Sequence, residues 1–239
     1  MNSIQTHPPV TREDLHQNDW KIALQSALAA ALSLGLPAGL LFWLITIQSL
    51  VPSAAIERLV AFLQDYAVPP VILEMLGAFV WGVLLSKISG YRRWWWLSVA
   101  TMAGVWAGNF ALYHGWLPEW ILALAPRGFS PPVQLRMILA VNVLSVTIST
   151  GLLLGLTLRS WKASLMLAGS TGAAATLAAV VTLMILDGLG IRVGSGHAAM
   201  PKVTAAATMA AALAGGAILG VMFSRYARAG FSQEDAIAE

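Results

Sequence analysis

Cysteine is absent from this chain, which excludes disulfides, thiolate metal sites, cysteine nucleophiles and lipid anchors on cysteine. Charge is scarce too. Only 10% of the 239 residues are Asp, Glu, Lys or Arg, against 58% apolar residues, a composition of membrane proteins rather than soluble domains. Glycine-rich phosphate loops, zinc-protease helices, paired-carboxylate hydrolase patterns and a Gly-x-Ser-Gly site inside an apolar run are all missing. The net charge of +3 is distributed over connections between apolar runs, so it reports topology, and nucleic acid is not an expected partner. No cofactor is expected either.

What the chain does have is six long apolar runs, at residues 22–48, 71–88, 94–113, 133–158, 163–186 and 203–222. Each is long enough for a hydrocarbon core of about 30 Å at 1.5 Å per residue. The pieces between them are mostly too short to fold alone, so lipid is the solvent against which this sequence is read. The expected fold is all-α: a polytopic membrane helical bundle of six transmembrane helices in three hairpins, with a short interfacial helix. A polar tail over 1–19, a membrane domain over 20–226 and a second polar tail over 227–239 complete the division. The first run far exceeds a signal-peptide core, so it is expected to remain as a helix.

Orientation follows from the basic residues. Arg12, Lys21, Lys87, Arg92, Arg93, Arg159, Lys162, Arg225 and Arg228 flank one set of ends, on tight connections. Arg58, Arg127, Arg136, Arg192 and Lys202 mark the other. The positive-inside bias then predicts both termini on the cytoplasmic side of a bacterial-type inner membrane. Trp20, Trp94, Trp95, Trp96 and Trp161 fall beside the predicted cytoplasmic headgroups, where an amphipathic ring is favoured. Among the outer loops, Ile56, Leu59, Val60 and Leu63 share a face opposite Glu57, Gln64 and Asp65, which predicts a surface helix over 53–66.

Small residues four apart indicate where helices approach. Gly35 and Gly39, Gly104 and Gly108, Gly151 and Gly155, and Gly216 and Gly220 each make such a patch, suited either to packing within the chain or to pairing of two copies. The sixth run is also rich in alanine, which suggests a central position for it.

An internal echo singles out candidate functional residues. The second run opens Pro69-Pro70-Val71-Ile72-Leu73-Glu74-Met75 and the fourth Pro131-Pro132-Val133-Gln134-Leu135-Arg136-Met137. Glu74 and Arg136 occupy matching places with opposite charge, about one turn inside the outer boundary, where an unpaired charge costs a few kcal/mol. An ion pair between them is expected. Asn109 and Asp187 fall at the same level, and Asn142, Ser145 and Ser149 continue a polar series down the fourth helix at three and four spacing. Glu74, Asn109, Arg136, Asn142 and Asp187 are therefore expected to line an outer vestibule or to form ion pairs. The alternative for the hydroxyls is bonding to their own preceding turn or to neighbouring helices. His114 and His197, both near the outer level, are weaker candidates for a metal.

Ser195-Gly196-His197-Ala198-Ala199 resembles the second motif of the membrane phosphatidic-acid phosphatase superfamily, and Ser224-Arg225 with Asp235 resembles part of its third. The resemblance implies that Ser195 and His197 would hold phosphate and assist a leaving group, with Arg225 binding phosphate. Gly194 replaces the family's proline, Phe231 stands where its nucleophilic histidine would be, and the first motif is absent. One span also separates the two fragments, so they cannot meet on one phosphate. What the likeness implies is at most a degenerate, inactive relative.

The sequence thus predicts a small-solute transporter or permease-like protein, with a non-catalytic accessory or assembly subunit of a membrane complex as the alternative. The partners expected are membrane lipids, with a second copy of the chain or a membrane complex as further possibilities.

Overall fold

A backbone inside an apolar run satisfies its own N–H and C=O groups only as a helix, and the runs fold accordingly. The computed structural model describes residues 12–37, 68–114, 131–191 and 199–237. Within them lie six helices and no strand: α1 Arg12–Ala30, α2 Val68–Ser89, α3 Trp94–His114, α4 Pro131–Thr157, α5 Trp161–Gly188 and α6 Ala199–Ile237. Stretches Ile72–Ser89, Leu139–Thr157, Trp161–Gly188 and Val203–Arg228 are long and apolar enough to cross a membrane. The 21 residues of α3 are also long enough to cross. The expected first span continues over 38–48, which lies outside the described residues, as does the expected surface helix over 53–66.

Polarity does not mark where helices end. α1 starts in the polar N-terminal stretch at Arg12, and α6 runs on for 39 residues to Ile237, so both expected tails are partly helical. Ends are set by local chemistry instead. α2 stops at Gly90, whose φ of 72° lets Tyr91 N–H return to the Ser86 carbonyl at 3.1 Å. α5 stops in the same way at Gly190, with Ile191 N–H on the Leu186 carbonyl at 2.9 Å. Ser160 caps the start of α5 by accepting from Ala163 N–H.

α1 is continued by a π-helical turn, Ala31–Gly35, in which Leu36 N–H reaches back to the Ala31 carbonyl. Pro37 explains part of this. It has no N–H to offer the Ser33 carbonyl four residues back, and that oxygen lies instead over Gly77 of α2, where any Cβ would collide with it.

The helices form a closed ring. α1 packs on α2, α2 on α3, α3 on α4, α4 on α5 and α5 on α6, and α6 returns to α1. Glycines set the contacts inside the chain. Gly104 and Gly108 meet Thr150 and Val146, Gly151 and Gly155 meet Ala168 and Ser164, and Gly216 and Gly220 meet Ala30 and Ser26. As one number rises the other falls, so these neighbours run antiparallel. α6 also reaches across to α2 and α4, in keeping with the central place expected from its small residues.

Polar and apolar side chains are arranged inside out relative to a soluble bundle. Ser26, Ser33, Ser86, Ser98, Thr101, Thr150, Ser164 and Ser224 are buried. Leu24, Leu28, Leu32 and Leu36 form an exposed stripe along α1 and its extension, and Leu177, Val181, Met184 and Ile185 do the same on α5. Such a surface needs an apolar surrounding and is compatible with an integral membrane protein.

Candidate functional site

The two ends of the ring differ in construction. At the basic end, Leu85, Leu97, Leu154, Leu167 and Phe223 converge with Ala29 and Ala30, so that all six helices contribute to one apolar plug. Tyr91 fastens it. Its hydroxyl donates to the Thr157 carbonyl at 3.1 Å and its ring meets Phe223 edge-on, joining the α2–α3 turn, the end of α4 and α6. Alongside, Asp19 of α1 accepts from Arg225 at 2.7 Å and from Arg228 at 3.3 Å. Burial alone would raise the Asp19 carboxyl, but the hydrogen bond and charge of Arg225, with Arg228 behind them, outweigh it and hold the group below its ordinary 3.8. The basic residues expected on one side thus do share one end of the ring. Trp20, Trp94, Trp95, Trp96 and Trp161 are exposed there, with Trp95 and Trp96 stacked at 4.1 Å.

At the other end, the expected residues come together as two pairs rather than one cluster. Asn109 of α3, itself buried, donates to Glu74 of α2 at 2.9 Å, and the same Nδ2 also reaches the Val105 carbonyl. Arg136 of α4 bonds Asp187 of α5 at 2.9 Å. The Glu74–Arg136 ion pair expected from the echo therefore does not form. Its absence has a topological cause: α3 packs between α2 and α4, so the echoed positions have different neighbours. Each side chain bonds the nearest complementary group on an adjacent helix.

The polar series on α4 divides as well. Ser145 donates to the Gly108 carbonyl of α3 at 3.0 Å, tying two helices where the glycine lets them approach. Thr147 and Thr150 donate to Val143 and Val146, their own preceding turn, at 2.6 and 2.7 Å. Helix gluing and back-bonding, the alternative to a polar path, account for these three hydroxyls. Asn142 lies one turn above Ser145, partly buried, and has no hydrogen-bond partner among the described residues. Arg136 Nε is buried without a partner among the described residues. Glu74 accepts from one neutral amide, and no Lys or Arg among the described residues pairs with it.

Ser195 and His197 lie outside the described residues, as does the side chain of His114. Arg225, the third residue of the phosphatase resemblance, is committed to Asp19 at the basic end of α6. Sequence reasoning missed the Asp19 cluster and the partner of Glu74. Asp19 could have been found as the acid closest to the start of the first apolar run, opposite the basic pair that closes the last.

No protein-family model, no curated protein and no solved structure matches this chain. The fold and its surface define an all-helical bundle compatible with the membrane, and its function is read from its own residues.

Proposed function

We propose that the chain is a six-span integral membrane protein, with a membrane domain over 20–226 and both termini cytoplasmic, that passes a small solute entering from the end opposite the plug. Glu74 carries this reading. A carboxylate inside an apolar helix, bonded among the described residues only to a neutral amide and paired there with no cation, is expensive unless it serves a ligand or an ion. Its unused acceptor positions suit a small cationic or hydrogen-bond-donating solute. Asn109 orients the carboxylate, Asn142 offers the next polar contact inward, and Arg136 with Asp187 forms the opposite rim. The apolar plug keeps the basic end shut in this state.

Asn142 gives a test that needs no knowledge of the solute. It lies eleven residues into α4, about 16 Å along the axis at 1.5 Å per residue. In a chain with no native cysteine, Asn142→Cys should react with a membrane-impermeant maleimide added from outside, and excess small cations should slow the reaction. An unreactive cysteine in folded protein would reject the pathway. In reconstituted vesicles, Glu74→Gln should then reduce flux more than Gln64→Ala, a change on the polar face of the expected surface helix.

One observation favours the accessory-subunit reading instead: Arg136–Asp187 and Asp19–Arg225 lock adjacent helices together, as a rigid scaffold requires. Stoichiometric partners captured from native membranes, together with an unreactive Asn142→Cys, would select it.

A further inference from the structure

A groove with a volume of about 410 Å³ runs down the outer surface of the ring between α3 and α4, at the basic end. Ala100 and Ala103 of α3 form its floor on one side and Leu153 of α4 lines the other, with Trp96 at the level of the turns. Arg93 and Arg159 stand at its mouth. Both are exposed, and neither has an ion-pair partner among the described residues. Arg225 and Arg228, by contrast, share the carboxylate of Asp19. The two turns carry Arg92, Arg93, Arg159 and, just beyond, Lys162, with no acid near them in the sequence.

Backbone geometry makes Arg159 stand out further. It follows α4 with a φ of 53°, the left-handed conformation that Gly90 and Gly190 occupy after α2 and α5. An arginine there forgoes the ease with which glycine adopts this geometry, which singles the position out.

We infer that this groove is a binding site for an anionic phospholipid, with the headgroup phosphate between Arg93 and Arg159 and an acyl chain along Ala100, Ala103 and Leu153. The inference rests on the membrane reading. An apolar trough of lipid-facing side chains fits a hydrocarbon chain, and two unneutralised guanidiniums fit a phosphodiester, each able to bind its oxygens in a bidentate manner. Trp96 lies where the glycerol level would be. Free phosphate would leave the trough empty, and a zwitterionic lipid would set its own ammonium against the arginines.

The test uses the full chain purified in mild detergent, with bound lipid counted by native mass spectrometry. Phosphatidylglycerol and phosphatidylcholine with identical acyl chains are titrated separately, each with and without inorganic phosphate. Wild type should retain phosphatidylglycerol in preference. Arg93→Gln and Arg159→Gln should each weaken it about five-fold, the equivalent of about 1 kcal/mol per basic residue at a membrane surface. Lys21→Gln, a basic change at the same end on α1, should leave it unchanged. Arg159→Gly separates headgroup binding from a structural role, because it relaxes the backbone while removing the guanidinium. It should melt no lower than wild type and still lose the lipid. Equal retention of the two lipids, an equal loss in Lys21→Gln, or displacement by inorganic phosphate would each overturn the site. A chain found in the soluble rather than the membrane fraction of cells would instead refute the membrane reading on which it rests.

Discussion

Arg136 and Asp187 should be thermodynamically coupled, and Glu74 and Arg136 should not. The first pair bonds at 2.9 Å with side-chain exposures of 29% and 37%, between a surface ion pair and a buried one. Exposed pairs contribute about 0–1 kcal/mol, whereas removing one partner of a buried pair costs about 3–5 kcal/mol. Arg136 Nε adds to the asymmetry, since it is buried and has no partner among the described residues. Arg136→Gln or Asp187→Asn should therefore each destabilise by about 1–2 kcal/mol, and the double variant by little more than either single. The coupling expected is about 1 kcal/mol, a shift of about 2–4 °C in melting temperature for a chain of this size. Thermal melting in a mild detergent, with all four proteins of the cycle in one buffer, measures it. Because both groups are partly exposed, added salt should shrink the coupling. The companion cycle, Glu74→Gln with Arg136→Gln, should be additive within about 0.3–0.5 kcal/mol. Coupling in the second cycle and additivity in the first would show that the ring order is wrong.

Three further outcomes follow from the same packing. Asp19 has a lowered folded-state pKa, so its stabilising pairs are intact above the ordinary carboxylate value and are lost as pH falls through the lower folded value. The melting gap between wild type and Asp19→Asn should accordingly be constant near neutrality and close on acidification below 3.8, whereas a gap that widens in acid would contradict the assignment. Gly155→Ala drives a methyl group into the Ser164 backbone and should destabilise by about 1–3 kcal/mol, while Gly169→Ala points into open space and should be tolerated in the same melting assay. Single cysteines at Ser89 and Ser232 should be blocked only by a permeant reagent and one at Ser53 by an impermeant one. The reverse pattern would invert the orientation.

Much of the architecture was legible because it depends on local quantities. Apolar run length predicts the helices, and paired glycines predict close approach on the correct faces, which the contacts of Gly104, Gly108, Gly151 and Gly155 bear out. The basic turns predict which ends lie together. Lateral neighbours were not legible. Glu74 and Arg136 look equivalent along their helices, yet their partners depend on the order of helices around the ring, which no one-dimensional pattern encodes. The groove was hidden for the same reason: Arg93 and Arg159 are far apart in sequence and line one groove only because α3 and α4 are antiparallel neighbours. The π-helical turn had a partial signal in Pro37, but the acceptor space over Gly77 exists only in three dimensions.

Phe223 and Leu219 give the plug a consequence for how the protein is made. They belong to α6, which emerges after the other five helices during synthesis, yet they sit in a cluster to which those five also contribute. Until α6 arrives, Ser26 and Ala30 lack the glycine face that covers them, and Leu85, Leu97, Leu154 and Leu167 lack their centre. A nascent chain halted before α6 therefore carries uncovered buried-type serines and an open seam. It stays distinguishable from the closed bundle, and arrival of α6 and closure of the ring become one event.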